Sequence, residues 1–417
     1  MSDRSIFFRL LSLLLLLRHF LLAGATSASL VGVNYGLLGN NLPSPNKVTP
    51  LLRSIGVGRV KLYDADPSVL RAFANTGVEL IIGLPDRCVD KVRDPDGALA
   101  WTRANVQAYL PGTKIAAITV GNEILTGNDT SLAQSLLPAM ESLHSALTTL
   151  GLDRQIVVTT PHSIAILASS YPPSSGAFRR DLIPQICPIL NFLSRTGSSL
   201  LINAYPYFAY NSDRGNISLD YVLFQPNAGV VDPKSGLRYG NMLHAQVDAV
   251  YAAIAAVGGP KGLEVRVSET GWPSNGGDGE VGATPENAAK YNGNLMKLVA
   301  EEKGTPMRPG THLRVYVFAL FNENLKPGLV SERYYGLFKP DGSPAYNLDI
   351  TVPLDNSTGV PSNGGGGGGS GVRGGGDDDN SSSGYYSISS ATGRWTRLRR
   401  AAAAAAAAIV TAVMSTE

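Results

Sequence analysis

The chain has 417 residues, of which 44% are hydrophobic and 16% charged, and a formal net charge of +2. That length and composition supply one large domain with a substantial buried core plus appendages, and they exclude disorder of the whole chain. The near-neutral balance gives no basis for a nucleic-acid partner and suits a neutral ligand.

At the N-terminus Arg4 and Arg9 precede an apolar run from Leu10 to Leu17, a second apolar stretch starts at Phe20, and Thr26-Ser27-Ala28 offers small residues for cleavage. This is the order of a secretory signal peptide over residues 1–28, and Arg18 and His19 break the run too early for a membrane-spanning helix. Sequons at Asn128, Asn216, Asn356 and Asn380 are N-glycosylation acceptors in an exported chain. Cys88 and Cys187 are the only cysteines. A disulfide-dense scaffold and a Cys-x-x-Cys zinc site are thereby excluded, while a single bridge and two buried thiols both stay open.

From residue 30 to about 350 short β-branched runs alternate with longer helix-like stretches, the pattern of βαβ units. The runs are Val31 to Asn34, Arg59 to Tyr63, Glu79 to Leu84, Ile115 to Val120, Ile156 to Thr160, Leu200 to Asn203, Val265 to Ser268 and Arg314 to Phe318. Helices are expected over Trp101 to Leu110, Ser131 to Leu150, Met242 to Val257 and Pro285 to Glu302, the last with Thr284 as N-cap and Pro285 at its first position. Eight units predict a (β/α)8 TIM barrel over 29–352. An open doubly wound sheet fits less well, because no Gly-x-Gly-x-x-Gly turn follows the first run.

After Pro353 the composition changes to a Gly/Ser/Asp-rich stretch, read as a disordered linker over 353–400. Ser389-Ser390-Ala391, a polar spacer through Arg400 and the Ala-rich segment 401–417 follow in the order of a GPI-anchor signal. An alanine expansion exposed behind Arg394, Arg397, Arg399 and Arg400 is the competing reading.

In a (β/α)8 barrel the chemistry is built at the C-terminal ends of the strands. Glu123 ends the fourth run in Ile-Thr-Val-Gly-Asn-Glu, and Glu269 ends the seventh in Val-Arg-Val-Ser-Glu-Thr-Gly-Trp-Pro. Glycosidic cleavage needs one carboxyl to protonate the leaving oxygen and a second to attack or to activate water, and strand-end glutamates can face each other across a sugar. A separation of about 5–5.5 Å gives retention and about 6.5–9.5 Å inversion, a choice the sequence leaves open. Asn122 can hydrogen-bond a sugar 2-hydroxyl, and Trp272 can offer a flat face for a pyranose. Tyr35, Tyr63, Tyr205, Tyr207 and Tyr210 are candidate cleft platforms, Tyr35 and Tyr205 foremost. His144, His162, His244 and His312 show no ligand spacing, and no Gly-x-Ser-x-Gly elbow occurs, so neither a metal nor another cofactor is expected.

The segments Val-Gly-Val-Asn-Tyr-Gly (31–36), Val-Lys-Leu-Tyr-Asp-Ala-Asp (60–66), Val-Gly-Asn-Glu (120–123), Asn-Ala-Tyr-Pro-Tyr-Phe-Ala-Tyr (203–210), Ser-Glu-Thr-Gly-Trp-Pro-Ser (268–274) and Ala-Leu-Phe-Asn-Glu-Asn-Leu-Lys-Pro-Gly (319–328) resemble the plant β-1,3-glucanases of glycoside hydrolase family 17. The resemblance implies a (β/α)8 fold and a retaining endo-hydrolase acting on 1,3-β-glucan of callose or fungal-wall type. It makes Glu123 the acid/base and Glu269 the nucleophile, and adds Glu323, Lys326 and Glu332 as a charged cluster beside them. A surface ion-pair network bracing the last loop is the alternative for those three. Tyr334-Tyr335 departs from the family, where asparagine precedes the aromatic. No cysteine follows Cys187, so the cysteine-rich carbohydrate-binding appendage of some members is absent and the barrel must bind glucan alone. The expected protein is a monomer in the apoplast or cell wall, either free or lipid-anchored at the plasma membrane. Rival functions on the same fold are a glucan-binding wall protein with little turnover and a 1,3;1,4-β-glucanase or glucanosyltransferase.

Overall fold

The computed structural model describes residues 30–348. The expected signal peptide, linker and Ala-rich tail, with Asn356 and Asn380, lie outside the described residues. Eight strands, β1 (Val31–Tyr35), β2 (Arg59–Leu62), β3 (Glu79–Leu84), β4 (Lys114–Val120), β5 in two pieces (Val157–Thr159 and Pro161–Ser163), β6 (Leu200–Asn203), β7 (Val265–Thr270) and β8 (Val315–Val317), pair in parallel. The first piece of β5 pairs with β4 and the second with β6, so both ends of the sheet meet in one strand and the barrel closes. At that seam Thr159 Oγ1 donates to the carbonyl of Ser199 and Thr160 Oγ1 to that of Val120, both at 2.8 Å. Two hydroxyls thus stitch the sheet where the ladder changes partner.

Strands covered on both faces read as near-continuous apolar runs, which is why all eight were recognisable. Their outward side chains pack with the helices in one continuous core. Ile81, Ala117 and Tyr316 form a separate small cluster. Tyr316 lies across Gly32, where a Cβ would meet its ring at 2.4 Å, so the close approach needs glycine. Arg59 donates to the Tyr316 hydroxyl at 2.8 Å and pairs with Glu79. Two residues along the same strand, and therefore on the same face, stands Lys61.

The helices on the outside include Thr130–Thr149, Ile183–Arg195, Met242–Ala256 and Pro285–Ala300. Thr284 does cap the last of these, its hydroxyl accepting from the amide of Asn287 at 3.2 Å. The helix expected over Trp101 to Leu110 instead runs Pro95–Asn105. Asp94 caps it by accepting from the Gly97 amide at 2.9 Å, Pro95 opens it, and Gln107–Tyr109 is a separate 3-10 turn. Among the described residues no helix is long and apolar enough to cross a membrane. Cys88 and Cys187 are free thiols, both half-buried.

Candidate active site

Glu269 lies near the end of β7, immediately after a register shift against both β6 and β8. Such a bulge re-aims the following side chain. Oε1 of Glu269 accepts from Lys61 Nζ at 3.1 Å and from the Tyr63 hydroxyl at 2.7 Å, and Oε2 accepts from the Tyr205 hydroxyl at 2.8 Å. Glu269 is 6% exposed and Lys61 1%. Burial pulls the Lys61 ammonium below its ordinary pKa, while the charge of Glu269 pulls it back up. Burial and then the charge of Glu269 push both phenols well above theirs, so Tyr63 and Tyr205 keep their protons and act as donors. One cationic and two phenolic donors thus converge on the Glu269 carboxyl.

Glu123 is held differently. The chain leaves β4 through Gly121 and Glu123, both with positive φ (62° and 57°). At Gly121 a Cβ would fall 2.2 Å from Ile124 Cδ1, so this turn admits only glycine. The Asn122 amide donates to Asp86 Oδ1 and the Glu123 amide to the Pro161 carbonyl, each at 2.9 Å, and these bonds fix the left-handed glutamate. On the side chain, Oε1 of Glu123 accepts from Asn203 Nδ2 at 3.0 Å. Asn203 ends β6, between the two glutamate strands; its Oδ1 accepts from Ser268 Oγ at 2.7 Å, and the same Nδ2 lies 3.4 Å from Asn122 Oδ1. The Asn203 amide thus positions the Glu123 carboxyl.

The remaining candidates separate into three groups. Tyr205 and Asn122 stand in the site, Tyr205 as a donor to Glu269 with its ring packed against Phe208, Phe318 and Tyr335. Glu323 is 3% exposed; it accepts from the Leu38 amide at 2.7 Å and lies 3.7 Å from Lys326, whose ammonium sits over the Phe318 ring. Glu332 is raised above the usual carboxylate range, chiefly by burial, against the opposing pull of Lys326 and reinforced by Glu269, Glu280 and Glu323. Glu323 is therefore buried and Lys326 and Glu332 half-buried, with Glu332 in the field of Glu269, and they do not form a surface network.

Three expectations require correction, since Trp272, Tyr35 and Tyr207 are all core residues, Tyr207 at 0% exposure against the Trp272 ring. Trp272 is 0% exposed, with Tyr207, Tyr210 and Tyr291 against its rings and its Nε1 donating to the Gly282 carbonyl at 2.7 Å. No sugar can stack on it. Tyr35 is likewise a core residue, 1% exposed and edge-on to Phe321, with a hydroxyl that has no partner among the described residues. His162 is also fully buried with both ring nitrogens unpaired, and burial lowers its pKa to about 4.

Lys61, Asn34, Asn203 and Glu280 were not singled out from the sequence. Asn34 Oδ1 lies 3.3 Å from Lys61 Nζ, and its Nδ2 donates to the Ser268 carbonyl, bracing the bulge from the other side. A readable signal existed: Asn34, Lys61 and Asn203 are polar side chains inside fully buried parallel strands, where each needs a buried partner. Glu280 binds the amides of Gly277 and Ser331 and the Ser331 hydroxyl, fastening the glycine-rich loop after β7 to the loop after β8.

A model of the glycosyl hydrolases of family 17 matches residues 31–350. Glucan endo-1,3-beta-glucosidase 11 of Arabidopsis thaliana is 57% identical over 343 residues, which cover 82% of this chain and 80% of that protein. Among solved structures, a β-1,3-glucanase and allergen of Cryptomeria japonica pollen is similar at a TM-score of 0.73 and 41% identity, over 76% of this chain and 98% of that one. A structure from a study of two plant β-glucan endohydrolases with distinct substrate specificities matches at 0.71 and 36%, over 76% and 100%.

Proposed function

The chain belongs to glycosyl hydrolase family 17, and on that footing we infer that it hydrolyses internal 1,3-β-D-glucosidic linkages in β-1,3-glucan. The observation that carries the reading is the pair of strand-end glutamates, with three donors converging on Glu269. Glu269 receives a lysine and two tyrosines. Oε1 of Glu123 accepts from the Asn203 amide.

That arrangement supports a division of labour. Glu123, protonated, donates to the glycosidic oxygen as the bond to the anomeric carbon breaks, and the Glu269 carboxylate attacks that carbon to form a glycosyl ester. Glu123, now a carboxylate, takes a proton from water as the water oxygen displaces Glu269, and both groups return to their starting state. Two inversions give net retention. Lys61 lies within the field of both glutamates, so a cation stays near the negative charge as it moves from Glu269 to Glu123. Glu332 lies in the field of Glu269, and Lys326 and Glu323 act on Glu332 in turn.

The same reading places the protein outside the cell. The signal-like segment 1–28 and the exposed sequons Asn128 and Asn216 support export and glycosylation, and the segment order at the C-terminus supports a lipid anchor. Treating intact cells with a phosphatidylinositol-specific phospholipase releases the protein if the anchor exists. Product analysis on defined oligosaccharides tests the reaction: shortened 1,3-linked products of retained configuration are expected. Elongated products would indicate transfer, and cleavage confined to mixed-linkage glucan would overturn the substrate.

A further inference from the structure

A concavity of ≈ 580 Å³ opens on the barrel rim where the loops after β1, β7 and β8 meet, with Asn41, Asn322, Asn324, Arg333, Tyr334 and Asp341 in its wall. None of the residues that hold Glu123 or Glu269 lines it. Asn322 and Glu323 are adjacent yet differently engaged. Glu323 binds the Leu38 amide and closes on Gly36, whereas Asn322 Oδ1 accepts from the Gly336 amide at 2.8 Å.

The wall is preorganised for a polyhydroxylated ligand. Asn324 is locked in a reciprocal pair with Asn40, and Asn322 is fixed through its oxygen while its Nδ2 has no partner among the described residues. The backbone carbonyl of Tyr334 is pinned by the amide and hydroxyl of Ser274 at 2.9 and 3.0 Å. Its neighbour Tyr335 is buried against Tyr205, Tyr207 and Phe318, but the Tyr334 ring has no aromatic partner among the described residues and is only half-buried. Leu325 and Val330, two of the few large apolar side chains left exposed, stand on the same β8 loop. Amides, a guanidinium and an unstacked phenol recognise the hydroxyls and the C–H face of a sugar. Arg333 and Lys339 stand against Asp341 in the wall, so its charge does not by itself select against an acidic polysaccharide, and a neutral glucan follows from the glucanase reading.

We propose that this concavity is an auxiliary β-glucan-binding site outside the catalytic cleft, in which a pyranose stacks on Tyr334 and bonds to Asn322, Asn324 and Arg333. The proposal rests on the glucanase reading. Tyr334, the position that departs from the family pattern, becomes its platform.

The test uses the full chain carrying Glu269→Ala, with and without Tyr334→Ala or Asn324→Ala, titrated with laminarin and with a short 1,3-linked oligosaccharide. Truncating an aromatic anchor should weaken laminarin binding about tenfold. Asn324→Ala, on an exposed loop, should weaken it about threefold. Hydrolysis of the short oligosaccharide by the Glu269-intact Tyr334→Ala and Asn324→Ala proteins should stay within twofold of the parent. Laminarin affinity unchanged in both variants overturns the site, as does an equal loss on the short substrate, which would put Tyr334 in the catalytic cleft. Preferential binding of polygalacturonate overturns the ligand class. Tyr334-dependent laminarin binding by a wild-type chain that cleaves no glucan would uphold the site and sink the enzymatic reading instead.

Discussion

Replacing Lys61 with methionine removes the cationic donor from Glu269, which is 6% exposed. At the observed Nζ–Oε1 separation of 3.1 Å, two unit charges in an effective dielectric of about 20 attract by about 5 kcal/mol. Breaking a buried pair by removing one partner costs about 3–5 kcal/mol, because the survivor stays buried without compensation. Lys61→Met should therefore destabilise the chain by a few kcal/mol. In a double-mutant cycle with Glu269→Gln the two losses should fall short of additivity by about 3 kcal/mol, since the second change removes the charge the first had stranded. Urea unfolding of the four proteins at neutral pH measures this. A coupling below about 0.5 kcal/mol would show that the lysine does not hold Glu269.

Glu123→Gln should lower kcat on glucan by about 10²–10⁴ but spare aryl glycosides whose phenolate leaves without a proton; equal losses on both substrates would remove Glu123 from the acid role. His162 has a folded pKa of about 4 against an ordinary value of 6.5, so its neutral form is favoured by folding. Stability from this group is fully present above about pH 6.5, falls as pH drops towards 4, and amounts to about 3 kcal/mol. His162→Phe should flatten that part of the stability profile, and an unchanged slope between pH 7 and pH 4 would contradict it; His244, lowered by burial to about 4 as well, would keep a residual slope. Trp272→Ala should cost about 3–5 kcal/mol by opening a core cavity. In the fraction that folds, sugar affinity should change little, and a loss of binding at full stability would return Trp272 to the cleft.

Much of the fold was legible because parallel barrel strands are covered on both faces and leave uninterrupted β-branched runs. The glutamates were legible because each ends such a run. What escaped depends on contacts between distant segments: Lys61 and Glu269 are 208 residues apart, and only barrel closure brings β2 within reach of β7. The bulge that turns Glu269 has no local signature in Val-Ser-Glu-Thr. Trp272 shows the converse, since an aromatic three residues past a catalytic glutamate reads as a sugar platform until Tyr207, Tyr210 and Tyr291 are found against it. The misplaced start of the Pro95–Asn105 helix was a missed local signal, the Asp94-Pro95 cap.

The central claim is that this barrel cleaves 1,3-β-glucan with Glu269 as its nucleophile. Incubating the secreted chain and its Glu269→Ala variant with laminarin tests reaction, substrate and residue together. The wild-type chain should release oligosaccharides and the variant should release none above background. Undiminished release by the variant would contradict the assignment.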